Sequence, residues 1–175
     1  MIKVLKKINE FFLSPKEYAL KKGVTIGEKC SIMTKNFGSE PYLIHIGNNV
    51  QITKGVSFFT HGGAWLLRED DPNSDFFGKI LIKNDVYIGN NAIIMPGVII
   101  ENQVIVGAGS VVTKSIPTGK IVGGNPARII GNVEDFKKRM MLLNVKTKNL
   151  EYNEKKRVLL ELSDEHFIRK EYMQY

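Results

Sequence analysis

At 175 residues, with 43% apolar residues and one tryptophan, the chain suits a single globular domain with a real core and a small appendage. Its formal charge of +7 admits an anionic partner (nucleic acid, an anionic cofactor, an acidic glycan or a membrane surface), against the plainer reading of a solvated lysine-rich face. The lone Cys30 excludes an internal disulfide and a cysteine metal cluster, and no stretch is long and apolar enough to span a membrane.

Residues 1–22 read as an N-terminal helical cap. Ile2, Leu5, Ile8, Phe11 and Phe12 fall at helical spacing, and Ser14-Pro15-Lys16-Glu17 looks like a cap followed by a fresh turn. Such a segment would close the open end of a sheet; its lysines also suit a helix lying on a membrane surface. The start lacks the apolar stretch and small-residue cleavage site of a secretory leader, which points to the cytoplasm.

Residues 23–131 carry a different period. It begins at Val24-Thr25-Ile26-Gly27, with Cys30 in a small-residue slot that implies buried packing, and resumes at Ile46-Gly47-Asn48-Asn49-Val50. Asn36-Phe37-Gly38-Ser39-Glu40-Pro41 breaks the register and is expected to bulge out. Residues 60–79 form a longer excursion, opening Thr60-His61-Gly62-Gly63-Ala64-Trp65, with Glu69, Asp70, Asp71 and Asp75 and then Phe76-Phe77-Gly78. Long excursions from a regular scaffold are functional or disordered, and three aromatics favour an ordered one.

From 82 to 117 the period is unbroken. Aliphatic residues recur at Ile82, Ile88, Ile94, Ile100, Val106 and Val112. Four positions after each stand Val86, Ala92, Val98, Val104, Ser110 and Ile116. A helix needs apolar returns near 3.6 residues and an ordinary strand near 2, so neither fits. A strict six-residue repeat makes one face of a parallel β-helix per hexapeptide, branched residues stacking inward and glycine or asparagine turning the corners. The fold class is therefore mainly β. Beyond Ile121-Val122-Gly123-Gly124-Asn125-Pro126-Ala127-Arg128, residues 132–175 read as a C-terminal helical extension. Its stripes are Phe136, Met140, Leu143 and then Val158, Leu162, Phe167, laid against the coils or a neighbouring subunit.

The hexapeptide run, the His61 loop, Val106-Gly107-Ala108-Gly109-Ser110-Val111-Val112-Thr113-Lys114 and Gly124-Asn125-Pro126-Ala127-Arg128 together resemble the hexapeptide-repeat acyltransferases. The nearest look is to bacterial sugar and polysaccharide O-acetyltransferases, over roughly residues 20–131. The resemblance implies a left-handed parallel β-helix, a homotrimer with active sites between subunits, and acetyl-CoA as acyl donor. The acceptor would be a sugar, nucleotide-sugar or glycan, with no nucleic acid and at most peripheral membrane contact.

Acetyl transfer to a hydroxyl needs a base that titrates near neutrality, and the chain has three histidines. By resemblance His61 is the catalytic base. His45 is expected to pack in the coil or face solvent, and His166 lies in a charged stretch without a catalytic signal. Relatives commonly continue with aspartate after the histidine, where this chain has Gly62; Glu40, Asp70 or a backbone carbonyl remain as orienters of the imidazole. The resemblance further places Asn36 against the acceptor, and Asn90 and Ala108 along the pantetheine arm. It puts Thr113 and Lys114 at the adenine and phosphate end, with Arg128 on a coenzyme phosphate and Tyr87 as a flat wall in place of tryptophan. The glycines after His61 are candidate oxyanion donors. With no acyl-accepting nucleophile evident, direct transfer is expected, and no histidine or cysteine cluster has metal-ligand spacing. Trp65, Phe76 and Phe77 form either a platform for a sugar ring or an anchor for the loop, and the acidic run 69–71 disfavours an anionic acceptor. N-acetylation of an amino sugar or other small acceptor, a carbonic-anhydrase-like metal enzyme and a non-catalytic scaffold are the alternatives.

Overall fold

The computed structural model describes residues 10–174, so the helical expectation for Ile2, Leu5 and Ile8 lies outside the described residues. The chain forms two compact units that meet in sequence between Val133 and Glu134. In the first, short strands stack every third one into three faces. The first face holds β1 (Thr25–Ile26), β3 (Ile44–Ile46), β6 (Ile80–Ile82) and β9 (Ile99–Ile100). The second holds β2 (Ser31–Ile32), β4 (Gln51–Ile52), β7 (Tyr87–Ile88), β10 (Ile105–Val106), β12 (Lys120–Gly123) and β13 (Arg128–Asn132). The third holds β5 (Ser57–Phe58), β8 (Ile93–Ile94) and β11 (Val111–Val112). From β3 to β11 successive strands lie on successive faces, and all pair in parallel except β12 with β13, which makes the unit a parallel β-helix.

Register explains the core. Ile46 pairs with Ile82 and Ile82 with Ile100 on the first face, Ile52 with Ile88 and Ile88 with Val106 on the second, Phe58 with Ile94 and Ile94 with Val112 on the third. Like thus stacks on like about 4.8 Å apart. All twelve positions of the 82–116 pattern are at most 3% exposed, Ser110 included. The Ser110 hydroxyl meets the demand of its burial by donating to the Gly107 carbonyl at 2.7 Å.

Between the first and second faces, asparagines bind coil to coil. Asn48 Oδ1 accepts from the Glu28 amide, Asn84 Oδ1 from Asn48 and Asn102 Oδ1 from Asn84, at 2.8, 2.8 and 3.0 Å. The residue after each of these four is left-handed: Lys29, Asn49, Asp85 and Gln103, with φ of 54–59°. Glycine and asparagine were expected at such corners, and three of these four are neither.

Two further expectations are corrected. Asn36 and Phe37 do not bulge: Asn36 bridges to Ser57 in parallel, and Phe37, 1% exposed, stacks on Phe58 at 5.3 Å inside the core. The departure begins at Gly38, because a ring that fills the core holds its own backbone on the third face. Cys30 is half-buried rather than buried, its Sγ donating to the Gly47 carbonyl at 3.1 Å.

Both ends of the coil are finished differently. At the start, α1 (Pro15–Lys21) has the capping box its sequence promises: Glu17 N–H donates to Ser14 Oγ at 3.3 Å and Ser14 N–H to Glu17 Oε2 at 2.8 Å. Ala19, fully buried, and Tyr18 pack it on the core. At the far end β13 turns back antiparallel on β12 and ends the repeat. The second unit holds the rest of α2 (Val133–Leu142), which begins on the last residue of the first, and α3 (Tyr152–Glu161). Phe136, Met140 and Leu143 are half-buried there. Among the described residues no helix is long and apolar enough to cross a membrane.

Candidate active site

Both excursions leave the coil at the same corner, where the chain passes from the third face back to the first. The shorter, from Gly38 to Leu43, leaves one turn above the longer, residues 60–79. Gly38 has φ of +68°, and a Cβ there would meet the Phe58 carbonyl at 2.9 Å, so only glycine lets the chain turn out this close to the next coil. Two residues on, Glu40 hangs over the start of the longer loop.

There it meets His61. Glu40 Oε2 lies 2.8 Å from His61 Nδ1 and accepts the Thr60 hydroxyl at 2.6 Å. The Thr60 hydroxyl, foremost, and then the His61 ring hold the Glu40 carboxyl below its usual range, against the opposing effect of burial. An ionised carboxylate only accepts, so Nδ1 carries the hydrogen and donates, and Nε2 is left with a lone pair. The His61 side chain is 42% exposed and that of Glu40 only 15%, so the carboxylate is sheltered while the ring reaches solvent. Of the three possible orienters, the structure puts Glu40 on the imidazole.

The loop is pinned at its base. His61 bridges to Phe77 antiparallel, the two rings meet edge-on with centroids 5.7 Å apart, and Gly78 N–H donates to the Thr60 carbonyl at 2.7 Å. Gly78 packs on the Gly97 backbone with no room for a Cβ. Trp65, open in the sequence as either a platform or an anchor, is 80% exposed and does not pin the loop; Ala64, at 5%, is the buried residue of its turn. Phe77 takes the anchoring role open to it in the sequence, whereas the contact of Thr60 with the carboxylate that His61 shares was not foreseen.

Thr113, Lys114 and Arg128 come together in a cleft of about 390 Å³, lined also by Ser115, Ile116, Pro117, Ala127 and Ile129. Thr113 and Lys114 follow β11 as Phe59 and Thr60 follow β5, two coils along the same corner, so the cleft lies about 10 Å down the axis from the His61 dyad. Arg128 reaches it because the β12–β13 turn folds back onto β11, Ala127 N–H donating to the Val111 carbonyl at 2.8 Å. Asn36, exposed on the third face, sits four residues before Glu40, its amide 3.4 Å from Ser57 Oγ.

Asn90 and Ala108 are elsewhere. They lie at the corner between the second and third faces, stacked through the Gly109 N–H bond to the Asn90 carbonyl at 2.8 Å. One chain therefore does not bring them to His61: the third face stands between. Tyr87 points outward from β7, 40% exposed. His45 faces outward from β3, and His166 Nδ1 lies 3.0 Å from Ser163 Oγ in the second unit. Among the described residues no group of three or more His, Cys, Asp or Glu could hold a metal ion.

The repeat and the coil it forms match known proteins. The family described as bacterial transferase hexapeptide (six repeats) matches residues 79–114. The chain is 51% identical over 144 residues to protein CapG of Staphylococcus aureus, covering 80% of this chain and 84% of that one. It is 33% identical over 111 residues to the galactoside O-acetyltransferase of Escherichia coli, covering 63% of this chain and 54% of that one. Among solved structures, a hexapeptide-repeat acetyltransferase of Vibrio cholerae complexed with acetyl coenzyme A superposes with a TM-score of 0.58. The two are 32% identical over 64% of this chain and 61% of that one.

Proposed function

The chain belongs to the hexapeptide-repeat acyltransferase family, and we propose that it moves the acetyl group of acetyl-CoA to a hydroxyl of a sugar or surface-polysaccharide precursor, with His61 as general base. The observation that carries this reading is the 2.8 Å contact of His61 Nδ1 with Glu40. Glu40 keeps the proton on Nδ1 and so offers the Nε2 lone pair to the acceptor. As the acceptor oxygen bonds to the acetyl carbonyl carbon, its proton passes to Nε2. The carbon–sulfur bond then breaks and the leaving sulfur takes that proton. While the imidazolium exists, the Glu40 carboxylate stabilises it. The similarity to a galactoside O-acetyltransferase supports a sugar hydroxyl as the acceptor.

Thr113, Lys114 and Arg128 would hold the nucleotide end of the donor, Arg128 meeting a phosphate with its planar fork. Asn90 and Ala108 would line the pantetheine arm. Because they stand across the third face from His61, we infer that a neighbouring subunit supplies them, in a homotrimer of left-handed coils with sites between subunits. Asn36, four residues before Glu40, would touch the acceptor.

A thiol-release assay with acetyl-CoA and a panel of sugars, amino sugars and nucleotide-sugars tests the reading. Release that depends on a sugar hydroxyl and disappears in His61→Ala supports it. Release with amino sugars alone would make the chain an N-acetyltransferase, and no release with any acceptor would overturn the proposal.

A further inference from the structure

The longer excursion carries a feature that base and donor cleft leave unused. Trp65, the one tryptophan of the chain, lies four residues after His61 and is 80% exposed. With Leu66, Arg68 and Glu69 it lines an open groove of about 330 Å³. An indole is a large apolar face whose exposure to water is unfavourable until something covers it. The turn that presents it, Ala64–Leu67, is held by the buried Ala64 and reached from His61 through Gly62 and the left-handed Gly63, φ +77°. Beyond it Arg68 Nε–H donates to the Ser74 carbonyl at 3.4 Å, which ties the groove to the returning strand of the loop.

We propose that this groove is a second sugar subsite, where a neutral pyranose of an oligosaccharide or polysaccharide acceptor stacks its apolar face on Trp65. Arg68 and Glu69 exchange hydrogen bonds with its hydroxyls. The inference rests on the reading of His61 as the base for transfer to a sugar. Four residues of chain span no more than about 14 Å, so the stacked unit and the unit acetylated at His61 are near neighbours on one glycan. Glu69 lines the groove and Asp70, Asp71 and Asp75 follow it in the same loop, a run of negative charge that disfavours an anionic glycan or an anionic lipid surface. The neighbouring subunit inferred above is the alternative cover of Trp65, and Arg68 and Glu69 beside the indole favour a sugar's hydroxyls over an interface core, which is depleted of charge.

The single tryptophan makes the test direct, because emission from the intact protein reports Trp65 alone. Malto- and galacto-oligosaccharides of one, two, three and six units serve as probes. The expected result is a saturable shift or quench with three units and more. Trp65→Ala should raise KM for the six-unit acceptor roughly tenfold, the equivalent of one stacking contact, and leave the single sugar unchanged. No change in emission with either series overturns the proposal, as does an emission shift on dilution without sugar, which marks a protein contact. Equal loss of one-unit and six-unit acceptors in Trp65→Ala also overturns it, since that marks a structural role. Absence of sugar acetylation by the unmodified chain would instead sink the reading of His61.

Discussion

Glu40 and His61 are 21 residues apart in the chain and 2.8 Å apart in space, because each leaves the same corner of the coil on adjacent turns. The carboxylate also takes the Thr60 hydroxyl on the same oxygen. Removing the base should therefore damage chemistry rather than the fold. His61→Ala is expected to lower kcat by roughly two to four powers of ten, the span of general base catalysis. Affinity for coenzyme A, measured by calorimetry, should hold; a matching loss of affinity would mark His61 as structural.

Glu40→Gln separates the orienter from the base. Glutamine keeps the shape but loses the charge that favours the imidazolium, and its amide can present a donor to Nδ1 and so fix the wrong tautomer. We expect kcat to fall at least tenfold with KM for the acceptor little changed, as for a residue that acts only as the transition state forms. A change confined to KM would show that Glu40 binds the acceptor instead.

The same carboxylate gives a pH signature. Its pKa is lowered in the folded state, by Thr60 foremost and then His61. Its contribution to stability is thus present above the ordinary carboxylate value and is lost as pH falls through the lowered folded one. Tm of the unmodified protein and of Glu40→Gln should differ most near neutrality and converge in acid. A difference constant from neutral to acid pH would mean that Glu40 is not ionised in the folded chain.

The period of six made the coil legible before any coordinates. Branched residues at Ile82, Ile88 and their successors leave no other way to bury every one of them at once. The departures are tertiary in origin. Phe37 is read as part of a break because no aliphatic residue stands at its repeat position, yet a ring that stacks on Phe58 keeps it in the core. Glu40 could be narrowed to one of three candidates and no further, since its contact depends on where Gly38 sends the chain. Lys29, Asp85 and Gln103 turn corners in the left-handed region because the asparagine ladder beside them binds the coils whatever residue follows. The separation of Asn90 and Ala108 from His61 follows from which corner each hexapeptide turns, which becomes visible only once the faces are counted.

At the donor end Arg128 stands with Thr113 and Lys114 in one cleft, and the fork of a guanidinium suits a phosphate. Arg128→Ala is expected to weaken coenzyme A by about 10- to 100-fold, the worth of one or two charge-assisted bonds. Its effect on the form lacking the 3′-phosphate should be much smaller. Titration of both ligands against both proteins checks this, and equal weakening of the two would remove the phosphate assignment.

Gly38→Ala tests the link between backbone and site. A Cβ at Gly38 meets the Phe58 carbonyl at 2.9 Å, and φ of +68° is strained for any L side chain. The backbone must then shift where it departs for Glu40. Strain of this kind costs about 1–3 kcal/mol, readable as a lower urea midpoint. Because Phe37 and Phe58 remain stacked beneath, the coil should still fold while the excursion above it moves. Activity should therefore fall by more than the loss of folded protein accounts for, with coenzyme A affinity kept at the cleft three coils away. Full activity in a destabilised Gly38→Ala would show that the position of Glu40 does not depend on this turn.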